Sequence, residues 1–545
     1  MSKRRSVTIA VVLAVFGLAI SRTPALAGGF PSQDKRGEDN LTFSLSLPVH
    51  FSEYRLAAAG ETRPALSVPG FGLSAADKVK KASDGRPKRH ILRAWLEMGA
   101  VEAVSTVNYW HEYASFINDW QWEMNWHDQS YRFFTLGAWR LDSNSFTLNW
   151  SHSLAGAVYY QFGRANNLTW AQSLLMSVGA SFWWEYCAEW REVISINDQI
   201  FTGYGGFVVG EPLFQLTDYF SRQPGLIYKA LSFANPMIKI NRWLDRKDPG
   251  SSYYVQPGWH DFRLFVGVRT VTPKGPEART TAYFGFRTQI INPPDYGRPG
   301  EIDKTLKDTL VSEMSMDFAY RGGHADETNI FTRVVPWGRF RQSIDASGNG
   351  YSLILGIGSS LEYFKRRAVL DAVGEWREKL AMLHLAGPVA DWTIFRDGLK
   401  LRTVAAAYVD FSLVNGLAMN TYALTYDVSG MKSTVRDFGY YYGFGGTFSG
   451  TTELEWRNFR AHGLLSFSAW GSCDFADRYG LPTMTNNAHL GDNRFRYAVG
   501  AGWKLPSVPL ELFVTYEGVR RWGKVAEVRA HTLEKRLFTG VAFTF

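Results

Sequence analysis

The stretch RLFTGVAFTF, Arg536 to Phe545, decides the fold. Leu537, Thr539, Val541, Phe543 and Phe545 fall on one face of the implied strand, with Gly540 and Ala542 on the other, because side chains alternate along extended backbone. A strand with one lipid-compatible face and an aromatic end reads as the closing strand of an outer-membrane barrel. The same strand at the edge of a soluble sheet would be a sticky template for other chains.

The two-residue period continues upstream. In Arg494 to Leu505, Phe495, Tyr497, Val499, Ala501, Trp503 and Leu505 share one face, while Arg494, Arg496, Ala498, Gly500, Gly502 and Lys504 share the other. The turn Pro506 to Pro509 sends the chain back through Leu510, Leu512, Val514 and Tyr516, with Glu511, Thr515 and Glu517 opposite. Phe262, Leu264, Val266 and Val268 alternate with Arg263, Gly267 and Arg269, and Ala282, Phe284 and Phe286 alternate with Tyr283, Gly285 and Arg287. At about 9 to 11 residues per spanning strand, residues 253–545 predict about 12 strands, with 10 and 14 as the even neighbours. A barrel of that size offers no obvious wide pore, since diameter grows with strand number. Side chains or the upstream helices are expected to fill it. A soluble antiparallel sandwich also alternates, but it leaves both ends of the sequence unexplained.

The other end carries an export signal. Lys3, Arg4 and Arg5 precede the apolar run Val7 to Ile20, and Ala25-Leu26-Ala27 supplies the small residues that a signal peptidase requires, so cleavage after Ala27 is expected. Removal takes four basic residues and no acid, which lowers the net charge from +8 to +4. The basic balance is therefore largely a targeting feature, and a nucleic-acid partner is not expected. An aromatic share of 15%, with 20 Trp and 26 Tyr, suits interfacial girdles of a membrane barrel. The best helical candidate for a membrane span, Ala171 to Trp190, is interrupted by Gln172, Glu185 and Glu189. Cys187 and Cys473 share no metal-ligand or disulfide spacing, and neither a metal nor another cofactor is expected.

The organisation predicted is a signal peptide at 1–27, an extended periplasmic lead at 28–88, an α-helical module at 89–225, a linker at 226–252 and an outer-membrane β-barrel at 253–545. The fold class is thus mixed: an N-terminal helical module followed by a C-terminal antiparallel transmembrane barrel. Four helices are predicted in the module. The first runs from Ile91 to about Tyr113, its apolar residues (Leu92, Trp95, Leu96, Val101, Val104, Val107) recurring at helical spacing. The others run from about Trp150 to Ala165, Trp170 to Trp190 and Ile196 to Phe220. Gly156 and Gly163 on one helix, and Gly203, Gly206 and Gly210 on another, make smooth faces that permit close packing.

Such packing is expected to draw His152, Glu185, Asp198 and Glu211 toward one another. A histidine flanked by carboxylates in a close-packed bundle suits general acid/base chemistry. Each residue also has a structural reading. Asp198 follows Ser195 at capping spacing, His152 suits a buried hydrogen bond, and Glu211 or Glu189 suits an ion pair with Arg164 or Arg191. Glu185, between Trp184 and Tyr186, is the hardest to accept as filler, because an unpaired buried carboxylate is costly. His152 with Glu185 is the pair favoured for chemistry. His111-Glu112 lacks the second histidine of a zinc-protease helix, and Gly443 to Gly450 lies among strands with no helix to bind a phosphate.

The run with Asn149, His152, Gly156, Tyr159, Tyr160 and Arg164, followed by Trp184-Glu185-Tyr186, Ser195-Ile196-Asn197-Asp198, Thr202, Gly205-Gly206 and Gly210-Glu211, resembles the bacterial family catalogued as domain of unknown function 3943. The likeness covers about Asp142 to Asp218. It implies an exported outer-membrane protein whose helical module precedes a strand-rich part, and it implies no activity. The expected role is structural, gating or transport, with the helices plugging or bracing the periplasmic mouth. The alternative is an outer-membrane enzyme that modifies lipid or envelope glycan. Expected partners are outer-membrane lipids and lipopolysaccharide, the barrel-insertion machinery and periplasmic chaperones.

Overall fold

Twelve antiparallel strands close on themselves: β1 (Trp259–Thr272), β2 (Arg279–Ile291), β3 (Val311–Arg321), β4 (His324–Ile344), β5 (Gly350–Arg366), β6 (Glu378–Arg396), β7 (Leu399–Asn415), β8 (Tyr440–Trp456), β9 (Phe459–Ser472), β10 (Leu490–Lys504), β11 (Leu510–Val525) and β12 (Val528–Thr544). The computed structural model describes residues 88–116, 125–141, 146–223, 228–229, 232, 235–245, 257–272, 278–322, 324–366, 370–371, 374–375, 378–431, 435, 439–473 and 488–544. The expected signal peptide, nearly all of the expected lead and the terminal Phe545 lie outside these residues.

Each strand pairs with its neighbours in sequence, and β12 closes against β1 from Lys535↔Thr272 to Thr544↔Arg263. A short strand, Gly300–Leu306, extends the ladder along the far end of β4. One mouth carries tight connections. Between β6 and β7 only Asp397 and Gly398 intervene, both at positive φ (48° and 77°), which is the backbone that a two-residue hairpin turn needs to match strand twist. The opposite mouth carries the long connections 416–439 and 473–489.

The alternation read from the sequence holds in space. Val266, Phe284, Phe448, Leu465, Val499, Leu512 and Val514 face outward and are exposed, and Trp337, Trp392, Trp456 and Trp503 form an outward girdle toward the tight-turn mouth. An exposed apolar belt with an aromatic rim on a closed barrel is a surface built for lipid. The lumen is filled by side chains. Arg287 of β2 is bonded to Glu453 of β8, six strands away around the barrel. Arg402 of β7 reaches Glu313 of β3 at 2.8 Å, Arg494 of β10 reaches Glu362 of β5 at 3.3 Å, and Arg521 of β11 reaches Glu378 of β6 at 3.4 Å. Buried charges are tolerated when paired in this way.

Apolar clusters cover both ends of this ladder. At the long-connection mouth, helix α7 (Met419–Thr425; α1 to α6 are given below) packs Met419 and Tyr422 against Phe364, Leu380, Met382, Tyr441 and Trp470. At the other, the segment after β2 turns inward, where Tyr296 meets Phe395 and shares a 2.6 Å hydrogen bond with Thr393.

The helical module consists of α1 (Ile91–Phe116), α2 (Trp126–Phe134), α3 (Phe146–Ala165), α4 (Trp170–Trp183), α5 (Gly206–Arg222) and α6 (Pro236–Leu244). α2 and α6 were not evident from periodicity. Asn125 caps α2 by accepting from the His127 N–H, and Asn235 caps α6 by accepting from Met237, with Pro236 in its first turn. The two later helices predicted as continuous are each interrupted. α4 gives way to a wide π turn, Trp184–Ala188, and α5 is preceded by the short turn Ile196–Asp198 and a π segment, Gln199–Gly205.

The helices were expected to plug or brace the periplasmic mouth; among the described residues they meet the barrel on its outside and at the 307–309 segment before β3. They lie against the outer wall. Phe201, Phe207, Val208, Val209 and Tyr160 form one core with Ile330, Val334, Leu361, Tyr363, Ala381, Leu383, Phe411, Leu413, Tyr440 and Tyr442. These barrel residues alternate with the inward Arg333, Glu362, His384, Asp410 and Tyr441, so they point away from the lumen. Phe201 packs at a tilt on Phe411 (5.8 Å between centroids) and Trp150 on Tyr363 (5.3 Å), and the Tyr204 hydroxyl lies 2.7 Å from Ser359 Oγ. The lumen needs no helix because its own charged side chains fill it.

Candidate functional site

Helices α3, α4 and α5 meet through their smallest residues. A methyl group built on Gly156 would overlap the Thr202 carbonyl and stand 2.9 Å from Gly206 Cα, and one on Gly206 would overlap Gly156. Glycine is required here by backbone-to-backbone approach. Ser177 Oγ of α4 lies 3.0 Å from the Gly156 carbonyl and 3.1 Å from that of Thr202, and Ser153 Oγ donates to the Phe201 carbonyl at 3.2 Å. The two hydroxyls thereby add side-chain bonds to carbonyls at the crossing of α3 with the π segment. π turns frequently mark functional positions, and both of those here border the candidate residues.

His152 of α3 forms an ion pair with Asp198, with Nδ1 and Oδ1 3.2 Å apart; the imidazole is 19% exposed and the carboxylate 6%. Asn197 donates to the same Asp198 oxygen at 3.0 Å, and the Asp198 N–H donates to Ser195 Oγ at 3.2 Å. Asp198 therefore sits in the capped turn and also faces the histidine. A carboxylate beside Nδ1 is the neighbour with which a general-base histidine keeps Nε2 as its basic nitrogen.

Glu185, buried in the π turn after α4, accepts the Ser195 N–H at 2.9 Å, while its carbonyl accepts from Arg132. It ties the end of the Ile194–Ser195 strand, which pairs in parallel with Trp139–Arg140, to the turn that follows α4. The carboxylate ion-paired with His152 is thus Asp198, while Glu185 holds backbone. Glu211 belongs to a second network. Its carboxylate accepts from the Tyr160 hydroxyl at 2.6 Å, from Gln215 at 2.7 Å and from Thr309 Oγ1 at 2.7 Å, and it pairs with Arg164 at 3.0 Å. Thr309 precedes β3, so this fully buried carboxylate joins the module to the barrel. Arg164 was legible as its partner; Thr309 was not, because about a hundred residues separate the two.

A further pair lies within the barrel. His384 Nδ1 of β6 is 2.6 Å from Asp410 Oδ1 of β7, and Asp410 also accepts from Thr447 at 2.6 Å and from Trp470 at 3.2 Å. Its only sequence trace was an inward position on each of two strands.

Residues 138–236 match the model of the family described as Domain of unknown function (DUF3943). No curated protein matches the chain. Among solved structures, the chain is similar to a KdgM porin, at 9% identity over 52% of this chain and 99% of that one, with a TM-score of 0.20. It is similar also to the outer membrane channel DcaP of Acinetobacter baumannii, at 11% identity over 52% and 97%, TM-score 0.20. A third is OmpTdeltaL8, a loop deletion mutant of an outer membrane protein of Vibrio cholerae, at 7% identity over 53% and 99%, TM-score 0.21.

Proposed function

We propose that this protein is an outer-membrane barrel serving as a closed scaffold in the cell envelope, with the helical module carried on its wall. The observation that supports a scaffold over an open diffusion pore is the Arg287–Glu453 bond between opposite walls of the lumen. The partners proposed are lipopolysaccharide and phospholipid around the belt, with chaperones and insertion machinery during export. Recording from the purified full chain in planar bilayers tests the reading. The expected result is a silent native protein, with conductance steps after Arg287→Ala and Glu453→Ala are combined. Steady conductance by the native protein would overturn it.

The His152–Asp198 pair favours a second reading, an enzyme acting on envelope lipid or glycan. Lipid and glycan profiles of a deletion strain complemented with native protein, His152→Ala or Asp198→Asn test it. Native complementation that both variants fail to reproduce, at equal protein levels, is the expected result; identical profiles in all strains argue against the enzyme.

A further inference from the structure

Around its apolar core, the helical module turns several polar side chains inward and a row of large apolar ones outward. On α1 the side chains turned toward the bundle include Glu102 and Thr106, 2% and 4% exposed, beside Ala94 and Met98. Its outer face carries Leu92, Leu96, Val104 and Val107, each between 64% and 73% exposed, with Trp95 among them. α4 repeats the arrangement, burying Ser173, Ser177 and Ser181 while Leu175 is 68% exposed and Phe182 and Trp183 stand outward. In water this inversion is unfavourable twice over, since apolar area stays hydrated and polar groups are desolvated. In lipid both terms change sign, and close packing through glycine and serine is the habit of helices that meet within a membrane. No helix among the described residues is long and apolar enough to cross a membrane alone, which leaves a bundle lying beside the wall.

The wall supplies the second argument. Phe411 is covered by Phe201 and fully buried, yet Phe444, its register partner on the next strand, is 47% exposed and apolar. On β5, Ser359 is held by Tyr204, and two residues along the same face Ile357 is 42% exposed. The docked patch thus runs directly into the lipid belt. A body attached to that wall at that level displaces lipid, and its own outer surface takes the place of the surface it hides.

We infer that the helical module is immersed in the bilayer beside the barrel, with the outer faces of α1 and α4 in contact with lipid acyl chains. The inference rests on the membrane-barrel reading. Nitroxide labels test it in the full chain reconstituted in phospholipid vesicles, with Cys187→Ser and Cys473→Ala removing the native thiols. Single cysteines are placed at Leu96, Val104 and Leu175, with Val266 as a barrel-belt reference and Asp397 as a turn reference. Labels at 96, 104 and 175 are expected to match the Val266 label, colliding several-fold more with oxygen than with a water-soluble nickel chelate. If Val266 reports lipid while the three report water, as Asp397 does, the immersion is wrong and the barrel stands. If the three are shielded from both reagents, protein covers the face and the inference is overturned. If Val266 also reports water, the membrane barrel itself fails and the inference with it.

Discussion

Gly156 of α3 and Gly206 of α5 meet backbone to backbone, each occupying the space where the other's side chain would begin. The crossing sets how far apart the two helices stand, and with them His152 and the π segment that follows Asp198. Gly156→Ala and Gly206→Ala are each expected to destabilise the module by about 1–3 kcal/mol, the usual result of overpacking a filled interior. Limited proteolysis should show faster cleavage of the module, while the heat-dependent gel shift of the folded barrel stays as in the native protein. Unchanged proteolysis would mean that the helices slide apart without cost.

Glu211 holds the module to the segment before β3. Glu211→Gln keeps the shape and removes the charge opposite Arg164. Breaking one partner of a buried pair costs about 3–5 kcal/mol, so this variant should release the module to protease more strongly than Thr309→Val, which removes one hydrogen bond, worth about 1 kcal/mol. A double-mutant cycle between the two positions should show coupling, because Thr309 donates to the same carboxylate.

Asp245 ends α6 and accepts two hydrogen bonds from Arg93 of α1, at 2.8 and 3.0 Å. These bonds, joined by the Arg93 charge, hold its carboxyl below the usual carboxylate value of 3.8. A carboxyl lowered by folding stabilises the native state above its unfolded value and loses that contribution as pH falls through the folded one. The contribution of the Arg93–Asp245 pair should therefore be complete above about pH 4 and fade below it. Asp245→Asn should flatten this acid response, measured as hydrogen exchange in residues 91–98 against pH.

Glu327 of β4 sits between Arg269 of β1, at 2.5 Å, and Arg536 of β12, at 3.4 Å. Glu327→Gln removes the shared charge between two arginines at the closing seam, leaving Arg269 to Asp326 and Arg536 to Glu517 and Glu534. The temperature of the barrel's gel shift should fall, with a loss of about 3–5 kcal/mol, whereas Asp303→Asn at the exposed Asp303–Arg339 pair should change it little.

Much of the barrel was legible because strand alternation is local: Arg494 and Arg496 had to face opposite to Phe495 and Tyr497 whatever the partners. The side on which the helices lie was not. Leu92, Leu96 and Val104 announce one apolar face on α1, and periodicity cannot say whether that face meets protein or lipid. Glu185 stood out in the sequence because an unpaired buried carboxylate is costly. Its Ser195 N–H partner belongs to the short Ile194–Ser195 strand, which no helical period announces. Thr309, supplied by the barrel, lay beyond any local pattern.

The bundle covers outward positions on β3 to β8 and reaches β1 and β2 near one end, where Tyr219 and Phe220 meet His260, Phe262 and Ile290. From Leu264 to Val268 and from Leu537 to Phe543 the junction of β1 and β12 is bare. The stretch of seam that closes the barrel is therefore left clear of its passenger.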